Sequence, residues 1–261
     1  MPVVINPKPL IAANWKMQLS QRESIAATTD LRAGLTSLSE AVELVLCPSF
    51  TALAAVSAVL GTSPIKLGAQ DMFWSDRGAY TGEISPLDLA ETKVKYVIIG
   101  HSERRQNLGE TDAMVASKLR NAIGHGLTPI LCVGESAAER DRDEQEKVIG
   151  RQILTACENI STLSQPIYLA YEPIWAIGTG RPADPKLAET MRQFIEQTLI
   201  DQYSAKLVTD QVRVIYGGSV DAKNVTTYVK PGGFHGALVG TASLKPEPFM
   251  SLINNVEKKY V

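Results

Sequence analysis

Apolar residues in this chain gather into short, often β-branched runs, separated by stretches in which apolar positions return every three or four residues. The runs are LIAAN (10–14), VELVLC (42–47), IKLGA (65–69), YVIIG (96–100), TPILCVG (128–134), IYLAYE (167–172), VRVIYG (212–217) and GALVG (236–240). Each is only about five residues long and apolar on both faces, as a parallel strand covered on two sides requires. Between them the pattern predicts amphipathic helices, among them SIAATTDLRAGLTSL, TDAMVASKLRNAIGHG and DPKLAETMRQFIEQTLIDQYS. The second opens on a Thr/Asp cap and closes at a glycine, which is ordinary helix punctuation.

Eight strand–helix units in about 250 residues have the length and period of a (β/α)8 barrel. A doubly wound open sheet would want a Gly-rich dinucleotide fingerprint after an early strand, and no GxGxxG occurs there. No low-complexity segment or linker divides residues 1–261, so they read as a single domain. In such a barrel the loops that follow the strands share one face, and that face carries the chemistry.

Composition narrows the partners. Of 261 residues, 44% are hydrophobic and 21% charged, ordinary values for a chain that buries a sizeable core. A net charge of −2 provides no basic field for nucleic acid. Cys47, Cys132 and Cys157 are widely spaced, odd in number and without a CxxC pair, which argues for a reducing compartment and against a disulfide framework or a zinc site. The opening MPVVINPKPLIAANWK is not patterned as a secretory signal, and no apolar run approaches the roughly 20 residues of a membrane helix. The expectation is a cytoplasmic protein without a membrane segment.

The ends of the runs hold the candidate chemistry. Run 1 leads into Asn14 and Lys16, run 4 into His101 with Glu103 behind it, and run 6 ends in Glu172; runs 7 and 8 lead into the small-residue turns YGGS and GTAS. Taken singly, each has a plain explanation: a solvated lysine, a histidine opening a helix, a carboxylate paired with an arginine, a tight turn. Together, a carboxylate, an imidazole and an ammonium at one mouth are the set needed to move a proton beside a carbonyl. The carboxylate takes the proton, the imidazole donates to the oxygen, and the ammonium balances the developing charge. The two Gly/Ser turns offer backbone N–H groups to a phosphate. The apolar, Gly-containing segment after Glu172 suits a cover that excludes water.

The motifs NWKM, GAQD, GAYTGEIS, YVIIGHSERR, CVGE, YEPIWAIGTG, YGGSV and GALVGTASLKPE, in order from residue 11 to about 252, resemble the triosephosphate isomerase family. The resemblance implies a (β/α)8 TIM barrel that interconverts dihydroxyacetone phosphate and D-glyceraldehyde 3-phosphate through an enediolate, with no cofactor and no metal. It implies Glu172 as the base, His101 as a neutral electrophile, and Lys16 and Asn14 as groups that bind substrate and stabilise its charge. Glu103 matches a carboxylate kept near the lysine. Phosphate contacts fall on the backbone of Gly178, Ser219, Gly240 and Thr241. The cover runs from Pro173 to about Ala183, with Tyr216 and Ser219 as its latch.

The family is typically a dimer, and the loop at 71–83, DMFWSDRGAYTGE, matches the arm that enters the partner, with Thr81 reaching toward the partner's Asn14 and Lys16. Its aromatic residues Phe73, Trp74 and Tyr80 suit a buried interface better than solvent. Three departures from the family's pattern stand out: Arg181 and Pro182 at the end of the cover, the stretch after Met17, and Thr241 where a second glycine is usual. Thr241 keeps open a related isomerase acting on a four-carbon sugar phosphate. A Schiff-base aldolase through Lys16 and a non-catalytic phosphosugar binder are weaker rivals, because neither needs the base, the imidazole and the lysine together.

Overall fold

The eight apolar runs become β1 (Leu10–Asn14), β2 (Glu43–Cys47), β3 (Lys66–Ala69), β4 (Tyr96–Ile99), β5 (Thr128–Val133), β6 (Ile167–Tyr171), β7 (Val212–Tyr216) and β8 (Gly236–Val239). They pair in parallel in chain order, and β8 returns to β1 with Leu10 opposite Gly236, closing a barrel. This is the (β/α)8 architecture expected from the sequence. The computed structural model describes residues 8–35, 41–160, 165–178 and 182–260. Arg181, residues 179 and 180 of the cover and the expected helix tail at 36–38 lie outside them.

The helices are α1 (Gln21–Gly34), α2 (Leu53–Leu60), α3 (Pro86–Glu91), α4 (Ser102–Leu108), α5 (Asp112–Gly124), α6 (Ala137–Asp141), α7 (Gln145–Cys157), α8 (Pro185–Gln202), α9 (Ala205–Gln211), α10 (Val225–Tyr228) and α11 (Pro246–Glu257). Caps set their starts. Thr111 accepts from the Met114 N–H ahead of α5, as the Thr/Asp signal predicts, and Asp184 caps α8 ahead of Pro185. α1 begins three residues before the expected Ser24, because Ser20 and Glu23 form a capping box. No helix among the described residues is long and apolar enough to cross a membrane.

Strand alternation divides the apolar residues into two layers. Leu10, Ala12, Val45, Cys47, Tyr96, Ile98, Ile130, Cys132, Tyr168, Ala170, Ile215 and Leu238 form the small cluster that fills the barrel. Their neighbours along the strands, such as Ile11, Ala13, Leu44 and Leu46, join the larger cluster with the helices. On β3 the inward position is Gly68, where a Cβ would lie 2.5 Å from Cys47 Sγ and 2.8 Å from Val45 Cγ1. The missing side chain makes room for bulk from β2. With the interior packed solid, the open space at the strand ends is left to the loops.

Candidate active site

The eight residues singled out from the sequence, Asn14, Lys16, His101, Glu172, Gly178, Ser219, Gly240 and Thr241, all line one small cavity at the carboxyl ends of the strands. They arrive from β1, β4, β6, β7 and β8, and only barrel closure brings them together.

Glu172 directly follows β6 and is 2% exposed. Its carboxylate is held at both oxygens: Oε2 accepts from the Ser102 N–H at 2.9 Å, and Oε1 lies 3.1 Å from His101 Nε2. The first of these donors belongs to the opening turn of α4, where unpaired N–H groups favour an anion. His101 caps the same helix, its Nδ1 accepting from the Glu103 N–H at 3.2 Å. An accepting Nδ1 puts the ring proton on Nε2, so a neutral imidazole donates to Glu172.

Lys16 adopts a left-handed backbone with φ of 52°, a conformation costing a lysine roughly 1–2 kcal/mol. Local hydrogen bonds hold it there. Its N–H donates to Asn14 Oδ1 at 3.0 Å, and its carbonyl accepts from Gln70 Nε2 at 2.7 Å. The ammonium then reaches across the mouth to Glu103 Oε1 at 2.6 Å, passing close to Gly240, where a Cβ would lie 3.5 Å from Lys16 Cε.

Next to Gly240, Thr241 opens a 3-10 turn over Thr241–Ser243 and is not among the described residues with positive φ. A β-branched residue therefore sits there without backbone strain. Ser243 Oγ donates back to Gly240 O at 2.7 Å, bracing the turn.

A family model described as triosephosphate isomerase matches residues 9–256. The chain belongs to the triosephosphate isomerase family. The triosephosphate isomerase of Chloroflexus aurantiacus is 46% identical over 247 residues, covering 94% of this chain and 98% of that protein. That of Dictyoglomus thermophilum is 42% identical over 249 residues, covering 95% and 99%, and that of Alkaliphilus oremlandii 43% over 248, with the same coverage. A four-carbon substrate is not favoured by these matches.

Within this triosephosphate isomerase fold, several supporting residues escaped the sequence reading. Gly134 and Gly217 directly follow β5 and β7, the strands on either side of β6 and Glu172. A Cβ at Gly134 would lie 1.7 Å from Glu172 O, and one at Gly217 would lie 2.9 Å from Glu172 Cγ. Their signal was present in CVGE and YGGS, but a glycine in a turn has many explanations. Glu135, fully buried, accepts at Oε1 from Arg140 Nε at 2.8 Å, Tyr171 Oη at 3.2 Å and Trp175 Nε1 at 2.8 Å. It thereby ties the start of the covering segment to α6.

A second network lies behind His101. Arg104 and Lys118 both pair with Asp71, at 2.9 and 2.7 Å, and with Glu110, at 2.6 and 2.9 Å. Burial raises Asp71 to about 6 against the pull of Lys118 and Arg104. Glu110 is also pushed up by burial, but the same cations outweigh it and hold the carboxyl below its usual range. The network fastens the root of the 71–83 loop to the helix that carries His101.

That loop carries an aromatic cluster of its own. Phe73 is buried; its ring stacks on Trp74 with centroids 4.0 Å apart and meets Tyr80 at a tilt of 46° with centroids 4.4 Å apart, within its own chain. Trp74 is half-buried and Tyr80 exposed.

Proposed function

We propose that Glu172, His101 and Lys16 carry out the family's reaction in this chain, the interconversion of dihydroxyacetone phosphate and D-glyceraldehyde 3-phosphate. The observation that carries the reading is the convergence of all eight candidate residues on one cavity. Substrate phosphate rests on the backbone N–H groups of Gly178, Ser219, Gly240 and Thr241. Its carbonyl oxygen then faces His101 Nε2–H, with the Lys16 ammonium and the Asn14 amide nearby.

Glu172 begins the cycle with its two oxygens facing the Ser102 N–H and His101 Nε2. A substrate oxygen that takes over the His101 proton frees one carboxylate oxygen to approach the carbon. Glu172 takes a proton from the carbon next to the carbonyl, and the electron pair moves to the oxygen, forming an enediolate. Lys16 and His101 stabilise that charge; the hydroxyl proton of the first carbon passes by way of His101 to the former carbonyl oxygen, and Glu172 returns its proton to the former carbonyl carbon. The segment from Pro173 to about Ala183 covers the intermediate, latched through Tyr216 and Ser219. Tyr216 Oη accepts from the Ala183 N–H at 3.2 Å, which supports its part.

Residues 1–261 act as one domain, and two copies form the working unit through the 71–83 loop. A cavity of about 250 Å³ beside the candidate site supports that pairing: it is lined by Lys16, Met17, Phe50, Gln70, Glu103 and Leu108, among others. Met17 is 95% exposed and Leu108 66%, an apolar rim that a partner's loop would cover. A cytoplasmic setting fits three buried cysteines that form no disulfide.

A coupled assay that oxidises glyceraldehyde 3-phosphate as it forms from dihydroxyacetone phosphate tests the reading. Turnover is expected without added metal or cofactor. Turnover of a four-carbon ketose phosphate with none of the triose would overturn it.

A further inference from the structure

Tyr228 belongs to the short helix α10 and has no part in the mechanism above. Its ring is buried and lies flat on that of Tyr216, with centroids 4.1 Å apart and planes 5° from parallel. Its hydroxyl donates to Ala183 O at 2.5 Å, while Tyr216 Oη accepts from the Ala183 N–H at 3.2 Å. Two stacked tyrosines therefore hold both backbone polar groups of one residue, itself 1% exposed. Burial raises the Tyr228 hydroxyl above its ordinary range, which keeps it a donor.

The stack also touches the turn that follows β7. A Cβ on Gly218 would lie 2.3 Å from Tyr216 Oη, so this hydroxyl rests against the turn that carries Ser219. Ala183, where the covering segment ends, and Gly218, in the phosphate turn, are thus both referenced to Tyr216. Tyr228 in turn fixes Tyr216 by its ring and Ala183 by its hydroxyl.

We infer that Tyr228 is a positioning residue for the reaction, anchoring the end of the covering segment against the phosphate turn through Tyr216 and Ala183. The inference rests on the isomerase reading given above. Packing alone would be met equally well by a phenyl ring; the hydroxyl is needed because the buried Ala183 carbonyl requires a donor. A loosened anchor leaves the enediolate less well enclosed. Its electron pair then expels the phosphate, breaking the C3–O bond; phosphate leaves with that bond's electrons, and the resulting enol ketonises to methylglyoxal.

The test is Tyr228→Phe, which keeps the ring and removes the hydroxyl. The quantity read is inorganic phosphate released per isomerisation turnover from dihydroxyacetone phosphate, with Tyr216→Phe measured beside it. The ratio is expected to rise at least about threefold in each variant, and by less than the product of the two in the double variant, since both act on Ala183. A ratio that stays at the parental value in Tyr228→Phe overturns the inference, even if turnover falls, because loss of packing or stability lowers both outcomes together. Failure of the parent protein to isomerise the triose would instead overturn the functional reading itself.

Discussion

The Oε1 oxygen of Glu172 lies 3.1 Å from His101 Nε2, and the hydrogen-bond pattern puts the imidazole proton between them. The proposed base and electrophile are therefore joined before substrate arrives, and one substrate oxygen must separate them. His101→Gln removes the aimed donor, and loss of one such donor costs about 10²–10³ in turnover. A fall of that size in kcat, with KM changed much less, is expected from steady-state rates. A variant with near-parental kcat would remove His101 from the reaction.

Thr241 tests how tolerant the phosphate turn is. Its backbone supplies the same N–H as glycine would, and its φ is not positive, so neither strain nor a lost donor is at stake. Thr241→Gly should leave kcat/KM for the triose within about tenfold of the parent, or roughly 1.4 kcal/mol. A gain of several orders of magnitude would mean that the threonine side chain had redirected the site toward another substrate.

Met17 tests the dimer. Deleting part of the 71–83 loop would also remove the contacts of Phe73 with Trp74 and Tyr80, so a point change on the receiving surface is cleaner. Met17 is almost fully exposed and beside Lys16. Met17→Asp places a charge where an apolar contact is proposed. Sedimentation should show a shift from dimer to monomer at micromolar concentration, with activity falling alongside. An unchanged, fully active dimer would put the interface elsewhere.

His235, just ahead of β8, makes stability depend on pH. Burial, reinforced by the charges of Arg213 and Arg192, lowers it from 6.5 to about 4. The unfolded chain then binds a proton between those values that the folded chain does not. This contribution is complete above about pH 6.5 and is lost as pH falls toward 4, to a depth of roughly 3 kcal/mol. Denaturant unfolding from pH 7 to 4 should show a shallower decline in His235→Gln than in the parent. Parallel declines would mean that His235 is not the group responsible.

Much of this was legible in the sequence because the barrel repeats one short pattern. Runs such as YVIIG and IYLAYE are apolar on both faces, and His101 and Glu172 stand at their ends, where a barrel must put its chemistry. The supporting contacts were hidden for a physical reason. Asp71 and Lys118 are 47 residues apart and Tyr228 and Ala183 are 45 apart, pairings that no local periodicity encodes. The glycines at 134 and 217 were visible as letters, but the backbone and side chain of Glu172 that exclude a Cβ there exist only after closure. The contacts of Phe73 with Trp74 and Tyr80 were also hidden, because a run of aromatic letters does not say which rings meet one another.

The most direct measurement is the exchange of substrate hydrogen for deuterium in D2O, catalysed by the parent and by Glu172→Gln, with inorganic phosphate affinity as a control. Glutamine fills the same space and can still accept from the Ser102 N–H, but it cannot take a proton. Exchange and turnover should both fall by at least about 10²-fold while phosphate affinity stays within about threefold. Exchange near the parental rate in Glu172→Gln would contradict the assignment of Glu172 as the base.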